Sequence, residues 1–143
     1  MLHPVLARGL VLFGEWCFAQ HSVPYTRLPD WFLLFDVYDM TRGEFWCTQR
    51  RNDLAQRLAL SVVPSFCRKT FASVEDVMTH IGSSHFADTP AEGGYLRIET
   101  EQKLIARAKL VRPEFTNEIN QHWSTRKLVK NSVAKPHKTT ISS

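Results

Sequence analysis

Cysteine is scarce in this chain. Cys17, Cys47 and Cys67 are odd in number and far apart, and no C-x-x-C occurs. That argues against a disulfide scaffold or a zinc ribbon and makes a reduced, cytoplasmic (intracellular) protein the expectation. The six histidines offer no H-x₃₋₅-H pair with cysteine partners. His80 and His85 are five apart, but Gly82, Ser83 and Ser84 lie between them, which speaks against a metal site there. Long apolar runs are missing too. The longest, Leu10 to Phe18, is interrupted by Glu15 and falls well short of the roughly 18 residues that span a bilayer, so no membrane partner is expected. Arg8 precedes that run without a small-residue cleavage site, and no signal peptide is read. Phosphate loops of the G-x-x-x-x-G-K-S/T type, G-x-S-x-G elbows, H-E-x-x-H and G-x-G-x-x-G are all absent.

Acidic residues are absent after Glu118. The chain has 18 basic and 14 acidic residues, but five of the basic ones (Arg126, Lys127, Lys130, Lys135, Lys138) lie in the tail, so the part before it is close to neutral. Basicity thus belongs to residues 124–143, read as a basic, disordered tail. Such a tail suits phosphate contacts through counterion release, or is simply a solvated end. At 143 residues with 43% hydrophobic content, the rest is long enough for one domain with a true core.

Hydrophobic patterning predicts strands over Leu10–Ala19 and Trp31–Asp39, with a loop at Gln20–Asp30 punctuated by Pro24 and Pro29. Thr41-Arg42-Gly43 reads as a tight turn into a short strand, Glu44–Cys47. A helix is expected at Arg51–Leu60 and an edge strand at Val62–Phe66, which carries Pro64. Ser73–Ile81 is a helix with a Ser73/Asp76 capping box. Gly94–Glu99 and Lys103–Arg112 form an antiparallel pair. Pro113 opens a final helix with Phe115, Ile119 and Trp123 on one face. The fold class is α+β, mostly antiparallel sheets with short helices.

Four clusters could carry chemistry. Glu15 sits in the apolar run Phe13-Gly14-Glu15-Trp16 and shares a strand face with Val11, Phe13 and Cys17. It faces either a polar cleft or solvent at an edge, because an unpaired buried carboxylate is costly. Phe35 and Asp36 are expected on opposite faces of the second strand. Phe35 either stacks on a base or belongs to the core, and Asp36, unusual in so apolar a strand, either borders a polar cleft or accepts backbone hydrogen bonds. In Glu92-Gly93-Gly94-Tyr95-Leu96-Arg97, the glycine pair permits close approach of a ligand or a turn into a hairpin. Arg107 and Lys109 share a strand face. They suit a phosphate, a carboxylate such as Glu15 or Glu92, or open solvent.

Taken in order, the clusters resemble motifs III, IIIa, IV and V of the covalent nucleotidyltransferases. The likeness is to the ATP-dependent RNA ligase branch that includes phage double-strand-type and trypanosomal editing ligases. Phe13-Gly14-Glu15 is similar to motif III, and Asp30 to Asp39 to motif IIIa. Glu92 to Arg97 resembles E-G-x-V-x-R/K, and Ala108 to Phe115 resembles motif V with an extension towards His122-Trp123. The resemblance spans roughly residues 9–123 and implies a partial nucleotidyltransferase (ATP-grasp-like ligase) domain at 1–123. It implies ATP-dependent joining of RNA 5′-phosphate and 3′-hydroxyl ends in the complete form, with Mg²⁺ as cofactor and RNA as partner.

By the same resemblance Glu15 holds the ribose and Phe35 stacks on adenine. Glu92 assists metal and phosphate chemistry, and Lys109, with Arg107, contacts the ATP phosphates. Arg107 departs from the family, which has lysine there, and the two cations are not equivalent. The family's nucleophilic lysine lies in an upstream K-x-D-G motif. No such motif occurs here, and Lys69, Lys103 and Lys109 are the only lysines before the tail. The expectation is the C-terminal part of a ligase domain with no nucleophile of its own, in a truncated gene, a gene read from a late start, or half of a split enzyme completed by a second chain. A non-catalytic RNA- or nucleotide-binding module and an inactive remnant are the alternatives.

Overall fold

Five large apolar residues, Trp31 to Phe35, succeed one another without interruption, and the strand they open is the one against which the rest is built. The computed structural model describes residues 9–20, 23–116 and 128–134. Strand β1 (Leu10–Trp16) pairs antiparallel with β2 (Phe32–Asp39). Strand β3 (Glu44–Phe45) runs antiparallel to the end of β2, and β4 (Ser61–Val62) parallel to its start. Helix α1 (Thr48–Leu58) connects β3 to β4, and α2 (Val74–His80) comes next. Strands β5 (Gly93–Glu99) and β6 (Leu104–Val111) form a separate antiparallel hairpin, which leads into the single turn α3 (Pro113–Thr116). The α+β class holds, with β2/β4 the one parallel pairing among the described strands. No described helix is long and apolar enough to cross a membrane.

The two faces of β2 serve two cores. Leu34 and Val37 pack with Trp46, Leu54 and Ala55 beneath α1. Leu33 packs with Cys17 and Leu28 on the other side. Strict alternation would put Leu34 and Val37 on opposite faces. A β-bulge reconciles them. Phe13 pairs with Asp36 and Gly14 with Leu34, so Phe35 is an extra residue with no partner on β1. The expectation that Phe35 and Asp36 point apart is therefore corrected. Both reach the β5–β6 side, where the Phe35 ring lies 6.1 Å from that of Tyr95 and the Tyr95 hydroxyl donates to Asp36. The Phe35 carbonyl accepts from Arg51 of α1 at 2.9 Å, which gives that buried guanidinium a partner.

Local chemistry sets the boundaries. Asp39 Oδ1 accepts from the Thr41 N–H and hydroxyl and from the Arg42 N–H, and Gly43 completes the turn at φ +65°. Helix α1 begins three residues earlier than the sequence suggests. Cys47, its N-cap residue, supplies no side-chain cap; instead the remote Glu99 carboxylate accepts from the Thr48 N–H (3.0 Å) and hydroxyl (2.7 Å). The helix ends at a left-handed Ala59. Strand β1 stops at Trp16 rather than Ala19. β4 is two residues long, because Pro64 has no N–H to give to a ladder. Half of the α2 capping box is as read: Ser73 Oγ accepts from the Asp76 N–H at 3.2 Å, but the Asp76 carboxylate reaches back to the Ala72 N–H (3.0 Å) and not to that of Ser73. Ile119 and Trp123 lie outside the described residues.

Residues 128–134, read from sequence as part of a disordered tail, are instead seated on the domain. Lys130 bridges to Ala19 and Val133 to Leu28, and Val133 packs against the Leu28–Leu33 core. The other tail residues lie outside those described.

Candidate functional site

Register on the hairpin decides which side chains meet. Tyr95 pairs with Lys109 and Arg97 with Arg107, so these four side chains share one face. At the Arg97/Arg107 end that face meets Asp36, which is fully buried. The Asp36 carboxylate accepts from Arg97 Nη1, from Arg107 Nη1 at 2.8 Å and from the Tyr95 hydroxyl at 3.1 Å. Arg97 also reaches the Trp46 carbonyl (2.9 Å) and the Glu99 carboxylate (2.5 Å). Burial opposes ionisation of Glu99, but its bonds from Arg97 and Thr48 outweigh burial and hold the carboxyl below its usual range. The Arg107 guanidinium lies 4.3 Å from the Phe45 ring centroid. This network latches the hairpin to β2 and to the start of α1.

At the Lys109 end the same face opens into a cleft of about 320 Å³, near the lower bound of about 300 Å³ for small-molecule sites. Glu15 from β1, Glu92 from the entry to β5 and Lys109 from β6 all line it. Glu92 is placed by its carbonyl, which accepts from the Arg112 N–H at 2.8 Å. Gly93 is needed because a Cβ there would collide with the Leu110 carbonyl, and a Cβ at Gly94 would come within 2.9 Å of Ile81. Neither glycine has a positive φ. Their smallness lets β5 lie against β6 and α2's end.

The cleft's remaining wall is apolar and aromatic. Tyr25 and Phe86 meet edge to face, with centroids 6.0 Å apart. Burial, then the carboxylates of Glu92 and Glu15, push the Tyr25 hydroxyl up to about 12. Burial, reinforced by Glu15, likewise pushes the Cys17 thiol up to about 11. Leu33, Val63 and Asn131 also line the site.

Of the five residues singled out in the sequence, the fold thus gathers Glu15, Glu92 and Lys109 and leaves Phe35 and Arg107 at the latch. A cleft with one acid on β1, a second just before β5, a cation on β6 and an aromatic wall suits a phosphorylated, hydroxylated, planar ligand. The RNA ligase family model matches residues 1–111. The chain belongs to the RNA ligase family. No curated protein and no solved structure is a significant match to it. The RNA ligase-type domain accounts for most of the chain, and its match ends at the last residue of β6.

Sequence reasoning missed Tyr25, Phe86 and Asn131 as cleft residues. Tyr25 and Asn131 sit in segments read as loop and tail, and Phe86 in a stretch without periodicity. No motif marks them. It also did not foresee Asp36 as the hub for two arginines, although an aspartate inside an apolar strand was a signal that a buried partner exists.

Proposed function

We propose that this RNA ligase-type domain binds ATP in the Glu15–Glu92–Lys109 cleft and serves, in a complete enzyme, the joining of RNA 5′-phosphate to 3′-hydroxyl ends. The observation that carries the reading is the convergence of three charged residues, from three separate segments, on one cleft. When bound, ATP supplies the activating group for the RNA end, and Mg²⁺ offsets phosphate charge.

The residues present fit that ligand. Lys109 gives a compact cation to the phosphates. The Glu15 carboxylate accepts from ribose hydroxyls. Glu92 offers one carboxylate to a divalent ion. Among the described residues no group of three or more His, Cys, Asp or Glu could hold a metal alone. One carboxylate suits Mg²⁺, which is commonly held by one or two carboxylates together with substrate phosphates. Tyr25 and Phe86 present aromatic surface to the base. Phe35 and Arg107 act one step back, by fixing the hairpin that carries Lys109; Arg107 is engaged with Asp36.

Of the described lysines, only Lys109 lines the cleft. Lys69 lies 3.5 Å from Asp76, Lys103 is 3.9 Å from Glu44, and Lys130 stacks over Phe18. Among the described residues we therefore assign the nucleophile to none; the reading calls for a lysine supplied from outside them, by this protein or by a second chain. The test is calorimetric titration of ATP with Mg²⁺, alongside incubation with α-labelled ATP. Binding without covalent retention of label is expected, and Lys109→Ala should weaken binding about tenfold, the effect of losing a charge-assisted contact. Label retained covalently by the wild-type chain, or no ATP binding at all, would sink the reading.

A further inference from the structure

We propose that residues 128–134, beyond the matched ligase region, form a wall of the nucleotide cleft, and that Asn131 is the positioning residue that sets its aromatic side. The inference rests on the nucleotide reading of that cleft.

Asn131 is 7% exposed and lines the cleft. Its amide is fully engaged with protein. Oδ1 accepts from the Tyr25 N–H at 2.9 Å, and Nδ2 donates to the carbonyls of Cys17 (2.9 Å) and Ala19 (3.2 Å). Its own N–H donates to the Phe18 carbonyl at 3.0 Å. One side chain therefore ties the exit of β1 to the loop that carries Tyr25. The next residue repeats the tie: the Ser132 N–H donates to the Tyr25 carbonyl at 2.9 Å, and its carbonyl accepts from the Leu28 N–H at 3.1 Å. Tyr25 is thus held through both its N–H and its C=O by this segment. The hold continues to Phe86, whose carbonyl accepts from the N–H groups of Thr26 (2.9 Å) and Arg27 (3.1 Å).

With no amide hydrogen left over, Asn131 is suited to placing Tyr25 and Phe86 rather than to reading a ligand. Lys109 stands on β6 of the hairpin, outside this chain of bonds. The segment should therefore govern affinity for the base and sugar, and Lys109 affinity for the phosphates. Reciprocity adds a second consequence: if docking of the segment favours the nucleotide, the nucleotide favours docking by the same factor.

The experiment uses the full chain and two probes, adenosine and inorganic tripolyphosphate, with ATP as reference. Asn131→Ala is expected to weaken adenosine and ATP about tenfold while leaving tripolyphosphate unchanged; Lys109→Ala should do the reverse for the two fragments. A merely structural role for Asn131 would weaken all three together and would overturn the proposal, as would unchanged adenosine affinity. Should Asn131→Ala not fold, the wild-type chain alone decides. ATP should slow tryptic cleavage after Lys130 severalfold, and equal cleavage with and without ATP overturns the coupling. A wild-type chain that binds none of the probes overturns the nucleotide reading itself, and the coupling with it. A chain that binds ATP without protecting Lys130 overturns the coupling alone.

Discussion

Arg107 and Lys109 stand two residues apart on one face of β6, yet they end in different kinds of place. Arg107 meets a carboxylate sealed from water at Asp36; Lys109 meets a cleft whose Glu15 is exposed. The acid across from each cation makes the difference. A buried carboxylate must be paired and hydrogen-bonded or the fold loses several kcal/mol. The Asp36 latch therefore commits Arg97, Arg107 and Tyr95 to structure. An exposed carboxylate makes no such demand, and the cation beside it stays available to a ligand. Arginine also suits the latch better than lysine, since its planar fork donates to Asp36 while its face covers Phe45.

The contrast breaks most sharply at Asp36. Asp36→Ala removes the acceptor shared by Arg97, Arg107 and Tyr95, leaving Arg97 with Glu99 and the Trp46 carbonyl, and should cost about 3 kcal/mol, seen as a lowered denaturant midpoint. A loss under 1 kcal/mol would mean that the latch is not what holds the hairpin. The cleft wall is tested next by thiol chemistry. All three cysteines are free: Cys67 is exposed, Cys17 and Cys47 are buried. With its pKa pushed from 9.0 up to about 11, Cys17 carries roughly a hundredfold less thiolate at neutral pH. Only Cys67 should react promptly with a disulfide reagent, and two fast thiols would show the wall to be open.

A smaller effect separates the two cations directly. Arg107→Ala should lower stability by about 1 kcal/mol, since that side chain is partly exposed. Lys109→Ala should leave the midpoint within about 0.5 kcal/mol and act on ATP binding instead. If both variants destabilise equally, the division between latch and cleft fails. The smallest effect is expected from acid. The Glu99 carboxyl is held below its ordinary 4.5. Its contribution is therefore complete above that value and fades as pH falls from 4.5 towards the lower folded value. The stability gap between wild type and Glu99→Gln should narrow on acidification below pH 4.5 and stay flat from there to neutrality.

Much of this division was legible in the sequence, and what was not has physical causes. Strand identities came from apolar runs, and the turn at Thr41–Gly43 and the cap at Ser73 from side chains that bond their own backbone. Arg107 and Lys109 were placed on one face by period two alone. The start of α1 was misjudged because its cap, Glu99, comes from a distant strand. Phe35 was misplaced because a bulge is a property of a pair of strands and leaves no mark on one. Asn131 was hidden because a polar, basic stretch gives no periodic signal even where the whole side-chain amide of one residue is used inside.

The bulge at Phe35 also sets the tolerance of β2 to changes in length. A strand keeps time in twos, and β2 contains one extra beat. Phe35 is consequently the residue whose deletion would leave every other side chain of β2 facing as it does now: Leu34 and Val37 towards α1, Leu33 and Asp36 away from it. Losing Val37 instead would turn Tyr38 towards α1 and the end of the strand out of step with its neighbours. Length variation in this strand, by drift or by design, has one place to go.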